Sequence, residues 1–346
     1  MPHPKSEVIR KFIIDQVENH PADITKLTGE HFNITRQAVR RHLTTLIEDG
    51  ILAADGETRN RRYSLNQTRL SWDLLLHQNK DEDKVWRDHL ESHIENYPTN
   101  IQKICHYGFT EMFNNAIDHS GGTKAIVILV YSAKKIGIQI EDDGIGIFEK
   151  LKTAFGHEDY RQSALELSMG KLTTDSSRHT GQGIFFSSRS FDYFDMCANG
   201  HAFCHNDNLG NWILEDAEPS QGTTVSMLID TDSRRTLREI FDRYTNLDDD
   251  DYPFSKTHAP LSLARYGDEM LVSRSQAKRV LARFGQFEEV ILDFSGIDEI
   301  GQAFADEIFR VFGRNNPQIK LVHIYANEQV QSMIRRAEST PVEPTE

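Results

Sequence analysis

Glu111 and Asn115 combine residue types and a spacing that suit phosphate chemistry. Because they are four residues apart, they point from one face of a helix, one turn from each other. A glutamate can orient and deprotonate a nucleophile, and an asparagine oxygen can help to hold a magnesium ion on a triphosphate. The pair alone is typical of a solvated helix face, so its interpretation depends on the residues that follow.

Three blocks that contain glycine follow this pair along the chain. Residues 125–130 and 136–140 have the apolar pattern of two strands joined by a short turn. The second strand runs into a D-x-G-x-G sequence, and then come a G-x-G sequence that opens an apolar helix and a G-T pair that leads into a strand. Glycine lets a backbone approach a ligand, and a helix N-terminus favours phosphate. The residues of these blocks are Asp142, Gly144, Gly146, Gly181, Gln182, Gly183, Gly222 and Thr223.

The ordered set E-x-x-x-N-A, D-x-G-x-G, G-x-G and G-T resembles the motifs of the GHKL ATPases. This family includes DNA gyrase B subunits, MutL-type repair proteins, heat-shock chaperones, histidine kinases and anti-sigma kinases. The resemblance covers residues 101–232 and implies a layered α/β sandwich that binds ATP and Mg²⁺. It implies that Glu111 is the general base, that Asn115 is the magnesium ligand, and that Asp142 accepts a hydrogen bond from the adenine amino group. The other nucleotide contacts that it implies are Gly144, Gly146, Gly181, Gln182, Gly183 and Thr223.

The same resemblance implies a mobile lid within residues 148–180. Residues 170–179 are rich in groups that can donate hydrogen bonds to phosphate. Two interpretations of this segment stay open. Either Lys171 or Arg178 contacts the γ-phosphate when the lid closes, or the segment is a flexible polar loop.

The residue at position 111 argues against one branch of the family. Histidine kinases carry an asparagine there, and they need a phosphoacceptor histidine on an upstream helix. His89, His93 and His106 lie upstream, but none is followed directly by Glu or Asp, as a typical phosphoacceptor is. Glu111 instead suits attack on ATP by water or by a Ser/Thr hydroxyl, so the sequence leaves hydrolysis and Ser/Thr phosphorylation as the two reactions.

Residues 1–66 have the pattern of three helices followed by a basic hairpin. A stripe at helical spacing predicts the first helix, residues 23–30 the second, and Thr35 is the predicted N-cap of the third. Residues 51–54 and 62–65 read as two strands around a basic turn. The residues of the first stripe are Val8, Ile9, Phe12, Ile13 and Val17.

This order of elements resembles a winged helix-turn-helix, in which the third helix enters the major groove of duplex DNA and the wing follows its backbone. In residues 1–65, ten Lys/Arg nearly balance nine Asp/Glu, whereas the whole chain carries a net charge of −14, so DNA contacts are expected only here. A winged helix used for protein contacts, or a solvated basic face, is the alternative. The DNA contacts implied are Arg36, Gln37, Arg40 and Arg41 on the helix and Arg59, Arg61 and Arg62 on the wing.

Residues 67–100 are interpreted as a linker and a connecting helix. Apolar residues at 70–75 precede a charged run at 79–84, and apolar residues then return at helical spacing. The helix is expected to pack on the ATP-binding domain or to serve dimerisation, and a homodimer is expected by analogy with the family.

Residues 256–346 alternate between strands and helices, which predicts a small sheet covered by helices. An acidic linker at 233–255, with four aspartates at 248–251, precedes them. The strand-loop-helix at 292–303 resembles the STAS domains of anti-sigma antagonists. Those domains carry a phosphoacceptor hydroxyl where this chain has Gly301, Gln302 and Ala303, so the domain is interpreted as a docking surface for a protein partner.

Composition limits the remaining functional classes. No apolar run is long enough for a membrane span, the N-terminus is polar, and three cysteines fit a reducing compartment, so a cytoplasmic location without membrane contact is predicted. The Cys and His residues at 197–205 favour a hairpin that turns at Asn199 and Gly200 over a zinc site.

The sequence therefore predicts a multidomain α/β protein: winged helix-turn-helix, GHKL-type α/β sandwich and small STAS-like α/β domain. The predicted function is an ATP-dependent DNA-binding regulator, in transcription control or phage defence. The alternatives are a Ser/Thr protein kinase of the anti-sigma type, which would phosphorylate a separate protein, and a nucleotide-gated binding module without turnover.

Overall fold

The computed structural model describes residues 4–57, 60–173, 180–207, 211–246, 254–265 and 269–339. These residues form a mixed α/β protein with three β-sheets, in agreement with the predicted α/β class. Residues 1–72, 128–138 and 228–233 belong to one compact unit, and the rest of the chain belongs to a second. Arg59, Arg178 and the aspartates at 248–251 lie outside the described residues.

Three helices and a two-stranded sheet make up most of the first unit. Helix α1 spans Pro4–Gln16, α2 spans Ile24–Phe32 and α3 spans Arg36–Glu48. Strands β1 (Leu52–Asp55) and β2 (Arg62–Leu65) pair in antiparallel register. This order of elements confirms the secondary structure predicted for residues 1–66.

The apolar core of the first unit fixes the orientation of α3. Thr35 is the N-cap of α3, as predicted, and its Oγ1 accepts a hydrogen bond from the Ala38 backbone N–H at 3.2 Å. Val8 belongs to the apolar stripe that predicted α1, but its side chain is exposed, whereas its neighbour Ile9 occupies a core-facing position. The buried core residues are Ile9, Ile13, Val17, Ile24, Val39, Leu43, Leu46, Leu52 and Tyr63.

Strand β3 (Thr68–Leu75) occupies a segment that the sequence analysis interpreted as linker. Apolar and polar residues alternate along it, and Leu70, Trp72 and Leu74 are less exposed than the residues between them. This alternation is the pattern of a strand with one covered face. The predicted connecting helix follows as α4 (Glu82–Val85), a π-helical stretch (Trp86–Leu90) and α5 (Glu91–Ile94).

A seven-stranded sheet carries the segments that hold the predicted site, with strand order β3-β4-β5-β9-β6-β7-β8. Helix α6 (Thr99–His119) approaches β9 closely at Gly108, where a Cβ atom would lie 3.0 Å from Met227 Sδ and would collide with the Phe191 ring. The remaining strands are β4 (Lys124–Tyr131), β5 (Lys135–Asp142), β6 (Tyr193–Ala198), β7 (His201–Asn206), β8 (Asn211–Asp216) and β9 (Thr223–Asp230).

The segment predicted as a lid is helical over much of its length. Helix α7 (Ile147–Phe155) follows β5. Helix α8 (Tyr160–Met169) comes next, and its N-cap is Asp159, whose carboxylate accepts a hydrogen bond from the Gln162 backbone N–H. Residues 163–169 of α8 are all buried, so this part of the segment belongs to the protein core. Helix α9 (Gly183–Ser190) then begins at the predicted G-x-G sequence.

A parallel three-stranded sheet forms the C-terminal part of the second unit, with strand order β10-β11-β12. The strands are β10 (Lys256–Pro260), β11 (Glu289–Asp293) and β12 (Lys320–Ile324). Helices lie between and after them, as predicted. They are α11 (Arg274–Leu281), α12 (Gln302–Ala305), which continues as a π-helical stretch (Asp306–Phe312) and α13 (Gly313–Asn315), and α14 (Glu328–Ser339).

Helix α10 (Leu237–Tyr244) lies within the predicted acidic linker. Its Ile240 and Tyr244 side chains are buried, and the Tyr244 ring packs edge-on against Phe185 of α9 at 4.8 Å. The acidic composition of the segment concealed this helix, because its apolar face is only two turns long.

Candidate functional site

A cavity of about 280 Å³ lies between α6, the turn after β5, α7, the start of α9 and β9. Residues from all four predicted sequence blocks line it, although these blocks span more than 110 positions of the chain. The fold therefore brings together side chains that the sequence analysis grouped by motif alone. The predicted site residues that line the cavity are Glu111, Asn115, Asp142, Gly146, Gly181, Gln182, Gly183 and Thr223.

The Asp142 carboxylate organises one end of the cavity. Its Oδ1 atom accepts hydrogen bonds from the backbone N–H groups of Gly144 at 2.9 Å and Thr223 at 3.2 Å. Burial raises the pKa of this carboxyl above its usual value, and the two backbone hydrogen bonds oppose that rise. Thr223 Oγ1 accepts a further hydrogen bond from the Ile147 backbone N–H at 3.0 Å, which joins β9 to the start of α7.

Two glycines allow this turn to form. A Cβ atom on Gly222 would collide with the backbone oxygen of Asp142, and Gly222 has a φ of 73°. A Cβ atom on Gly144 would collide with the backbone oxygen of Ser120. Gly144 is not among the residues that line the cavity, so its contribution here is to the shape of the turn.

Asn199 holds the D-x-G-x-G turn from the tip of the β6–β7 hairpin. Its Nδ2 donates to the Ile145 carbonyl at 3.0 Å, and its Oδ1 accepts from the Glu149 backbone N–H at 3.1 Å. Gly146, with a φ of 82°, lies directly against this side chain. The sequence predicts Asn199 only as a turn residue, because nothing in the local sequence shows what its amide contacts.

Glu111 and Gly183 meet at the other end of the cavity. A Cβ atom on Gly183 would collide with Glu111 Oε2, so the carboxylate lies directly against the first residue of α9. Gly181, with a φ of 67°, lies against the backbone of Leu172, where a Cβ atom would be 2.6 Å from the Leu172 nitrogen. Asn115 lies one turn after Glu111 on α6 and lines the same cavity, as their spacing predicted.

The structure does not bring the Lys171 ammonium group to this cavity. Its Nζ donates to the Gln286 carbonyl at 2.7 Å and lies 4.7 Å from the centre of the Phe287 ring. Lys171 was one of two residues proposed to contact the γ-phosphate in a closed lid, but these contacts direct its side chain toward the C-terminal sheet domain instead.

Lys150 is a cavity residue that the sequence analysis missed. Among the described residues that line the cavity, it is the one lysine or arginine, and its Nζ donates to the His119 carbonyl at 2.6 Å. Burial lowers the pKa of this ammonium group, and the nearby Asp118 carboxylate opposes the effect. No motif in the sequence assigns Lys150 to the cavity, because it lies in the segment predicted as a lid. Its side chain is directed toward the cavity only by helix α7.

The side chains predicted to contact DNA occupy the outer surface of the first unit. Arg36, Gln37, Arg40 and Arg41 are exposed on α3, and Arg61 and Arg62 are exposed at the start of β2. The Arg61 guanidinium lies 5.5 Å from the centre of the Tyr63 ring.

The Cys and His residues at 197–205 lie on a hairpin, as predicted. Strands β6 and β7 pair in antiparallel register around Asn199 and Gly200. Within the described part of the chain, no group of three or more His, Cys, Asp or Glu side chains is arranged to hold a metal ion.

Comparison with known families supports the interpretation of the C-terminal domain. A family model described as "STAS-like domain of unknown function (DUF4325)" matches residues 276–331, from α11 to the start of α14. The STAS-like prediction is therefore confirmed for this segment. No curated protein matches the chain. None of the helices in the described ranges has the length and apolar character needed to cross a membrane.

Replacing Gly222 by alanine tests the contact between β9 and the turn after β5. Gly121→Ala is the matched control, because Gly121 has a similar φ of 67° but no atom within 4 Å of a new Cβ. In both variants the left-handed conformation of the new alanine lowers the free energy of unfolding by about 1–2 kcal/mol. Gly222→Ala should lose about 1–3 kcal/mol more through the collision with Asp142. The midpoint of urea unfolding measures the difference, and equal midpoints for the two variants would contradict this geometry.

Proposed function

We propose that the chain is an ATP-dependent DNA-binding regulator of the cytoplasm, in which Mg²⁺-ATP binds and is hydrolysed in the cavity and thereby controls a winged helix in residues 1–66. The observation that carries this proposal is the convergence of Glu111, Asn115, Asp142 and the glycine turns on one cavity. The GHKL-like order of these motifs supports ATP as the ligand of the cavity. The exposed arginines of α3 support a contact with DNA.

The Asp142 end of the cavity suits an adenine base. Asp142 Oδ1 is already held by two backbone N–H groups, so the orientation of the carboxylate is fixed before a ligand arrives. Its Oδ2 atom would then accept a hydrogen bond from the exocyclic amino group of adenine. Ile140 and Val225 also line the cavity and supply apolar contact for the base.

The opposite end suits a triphosphate. The N-terminus of α9, at Gly183, offers backbone N–H groups, and Lys150 offers a cation near the same cavity. Mg²⁺ is commonly held by one or two protein oxygens together with substrate phosphates, so the Asn115 amide oxygen fits as its protein ligand. The ion would neutralise charge that develops on the phosphates.

Glu111 supplies the base for hydrolysis. As a water oxygen attacks the γ-phosphorus, the water gives a proton to the Glu111 carboxylate, the bond to the β-phosphate oxygen breaks, and ADP and phosphate result. The contact of Glu111 with Gly183 at the N-terminus of α9 supports this role, because the phosphates are proposed to bind there.

A Ser/Thr protein kinase is the second candidate, because Glu111 also suits attack on ATP by a protein hydroxyl, although the STAS-like domain lacks the acceptor hydroxyl of anti-sigma antagonists. Glu111 would then deprotonate a protein hydroxyl in place of water. The segment at Gly301, Gln302 and Ala303 carries no hydroxyl, so the phosphate acceptor would lie in a separate protein. Both candidate functions include a homodimer and a protein partner that binds at the STAS-like domain. Transcription control and phage defence both remain suitable settings.

Hydrolysis is tested with γ-labelled ATP, Mg²⁺ and the full chain. Wild type should release free phosphate, and Glu111→Gln should slow the release about 100-fold or more, because proton transfer contributes roughly that factor. Glu149→Gln is a suitable control, since Glu149 lies outside the cavity lining. Label on the chain or on an added protein would favour the kinase, and intact bound ATP would leave only a nucleotide-gated module.

DNA binding is tested with a fluorescent duplex. Arg40→Ala should weaken binding about tenfold, as expected for loss of one base or phosphate contact, while ATP affinity stays unchanged. Arg238→Ala is the control, because Arg238 is also a highly exposed helical arginine but lies on α10. Equal losses for the two variants, or a loss of ATP affinity in Arg40→Ala, would contradict a DNA-binding role of α3.

A further inference from the structure

Arg283 follows α11 in the segment that matches the STAS-like family, and its side chain is 11 % exposed. Its Nη2 atom donates to the backbone carbonyl of Lys171 and to Gln286 Oε1, the latter at 2.9 Å. Its Nη1 atom lies 3.6 Å from Glu166 Oε2 on α8. One guanidinium therefore contacts both the core helix α8 and the chain that follows it.

The Glu166 carboxylate is buried with several partners, which fixes the position of this contact. Its side chain is 5 % exposed, its Oε1 atom lies 3.2 Å from His157 Nε2, and it accepts a hydrogen bond from Gln162 at 3.0 Å. A buried carboxylate with this many partners has little freedom to move.

Lys171 is held from the other side by the same domain. Its Nζ donates to the Gln286 carbonyl, while its own carbonyl accepts from Arg283. The residue has a φ of 56°, a conformation that a lysine seldom adopts without such support. The STAS-like domain thus holds both the side chain and the backbone of this one residue.

The next residues along the chain form part of the cavity wall. Leu172 and Thr173 line the cavity, and Gly181 lies against the backbone of Leu172. A shift of the Lys171 carbonyl therefore moves the wall on which the proposed phosphate site is built. The physical route runs from Arg283 through Lys171 and Leu172 to Gly181.

We propose that Arg283 is a positioning residue through which the STAS-like domain sets the affinity of the cavity for Mg²⁺-ATP. This inference rests on the proposed function, since it concerns the regulation of the same cavity. A partner that docks on the STAS-like domain and shifts Arg283 would release the Lys171 carbonyl and weaken nucleotide binding. By linkage, nucleotide in the cavity stabilises the position of Arg283 to the same extent.

The test is calorimetric titration of the full chain with Mg²⁺-ATP. Arg283→Met should raise the Kd about tenfold, because the loss of a hydrogen bond from a charged donor has that order of effect. The rate of phosphate release at saturating ATP should change less than about twofold, since Arg283 contacts no reacting group. A general loss of structure would lower both affinity and rate.

A matched variant separates this route from simple loss of charge. Arg279→Met removes an arginine of α11 that lies 3.6 Å from Asp159 at the start of α8, whereas the hydrogen bond to the Lys171 carbonyl comes from Arg283. Arg279→Met should therefore bind ATP within about twofold of wild type. A rise in its Kd equal to that of Arg283→Met would overturn the inference.

Hydrogen exchange supplies the reciprocal readout. Mg²⁺-ATP should slow amide exchange of residues 284–292 in wild type, and Arg283→Met should abolish this protection. If wild type binds ATP and Arg283→Met binds it with the same Kd, the inference is overturned and the proposed function stays intact. Failure of wild type to bind ATP would overturn the proposed function itself, and the inference with it.

Discussion

The hydrogen bonds that the Asp142 carboxylate accepts from Gly144 and Thr223 are the constraint on which the candidate site depends. They join the end of β5 to the start of β9, and they require the backbone of Gly222 to pass directly beside Asp142. A partly buried carboxylate loses hydration, which is costly unless hydrogen bonds replace it. These two bonds meet that requirement and also orient the carboxylate toward the cavity.

The rest of the cavity is built outward from this turn. Asn199 holds the turn from the hairpin tip, and Thr223 holds the first residue of α7. Helix α7 then directs Lys150 inward, while α6 presents Glu111 against Gly183. The remaining wall is the segment after α8, which the STAS-like domain holds. The cavity is thus held by hydrogen bonds where the base is proposed to bind, and its wall contacts the STAS-like domain where the phosphates are proposed to bind.

Local patterns in the sequence predicted those parts of the fold that depend on near neighbours. The spacing of Glu111 and Asn115, the N-cap Thr35 and the β6–β7 hairpin are all determined within a few residues, and the structure has each of them. Alternating strands and helices likewise predicted the STAS-like domain that the family match confirms. Strand β3 showed an alternating pattern too, but its polar neighbours suggested a linker.

The features that were missed depend on residues far apart in the chain. The contacts of Asn199 and the partner of Lys171 involve segments about 50 and 115 positions away, and no local pattern encodes them. The family resemblance implied a mobile lid within residues 148–180, whereas α8 is buried because the C-terminal domain packs on it through Arg283, Arg279 and Thr257. These contacts come from residues about 90 to 120 positions away, so no pattern within the segment predicts them.

Discrimination between adenine and guanine nucleotides tests the central claim most directly. Calorimetric titration of the full chain with Mg²⁺-ATP and Mg²⁺-GTP should show tighter binding of ATP by at least about 100-fold, because guanine places a carbonyl oxygen where Asp142 needs an amino donor. Asp142→Asn should remove most of this preference, since its side-chain amide offers a donor at that position. Equal affinities for ATP and GTP in wild type, or no nucleotide binding, would contradict the account.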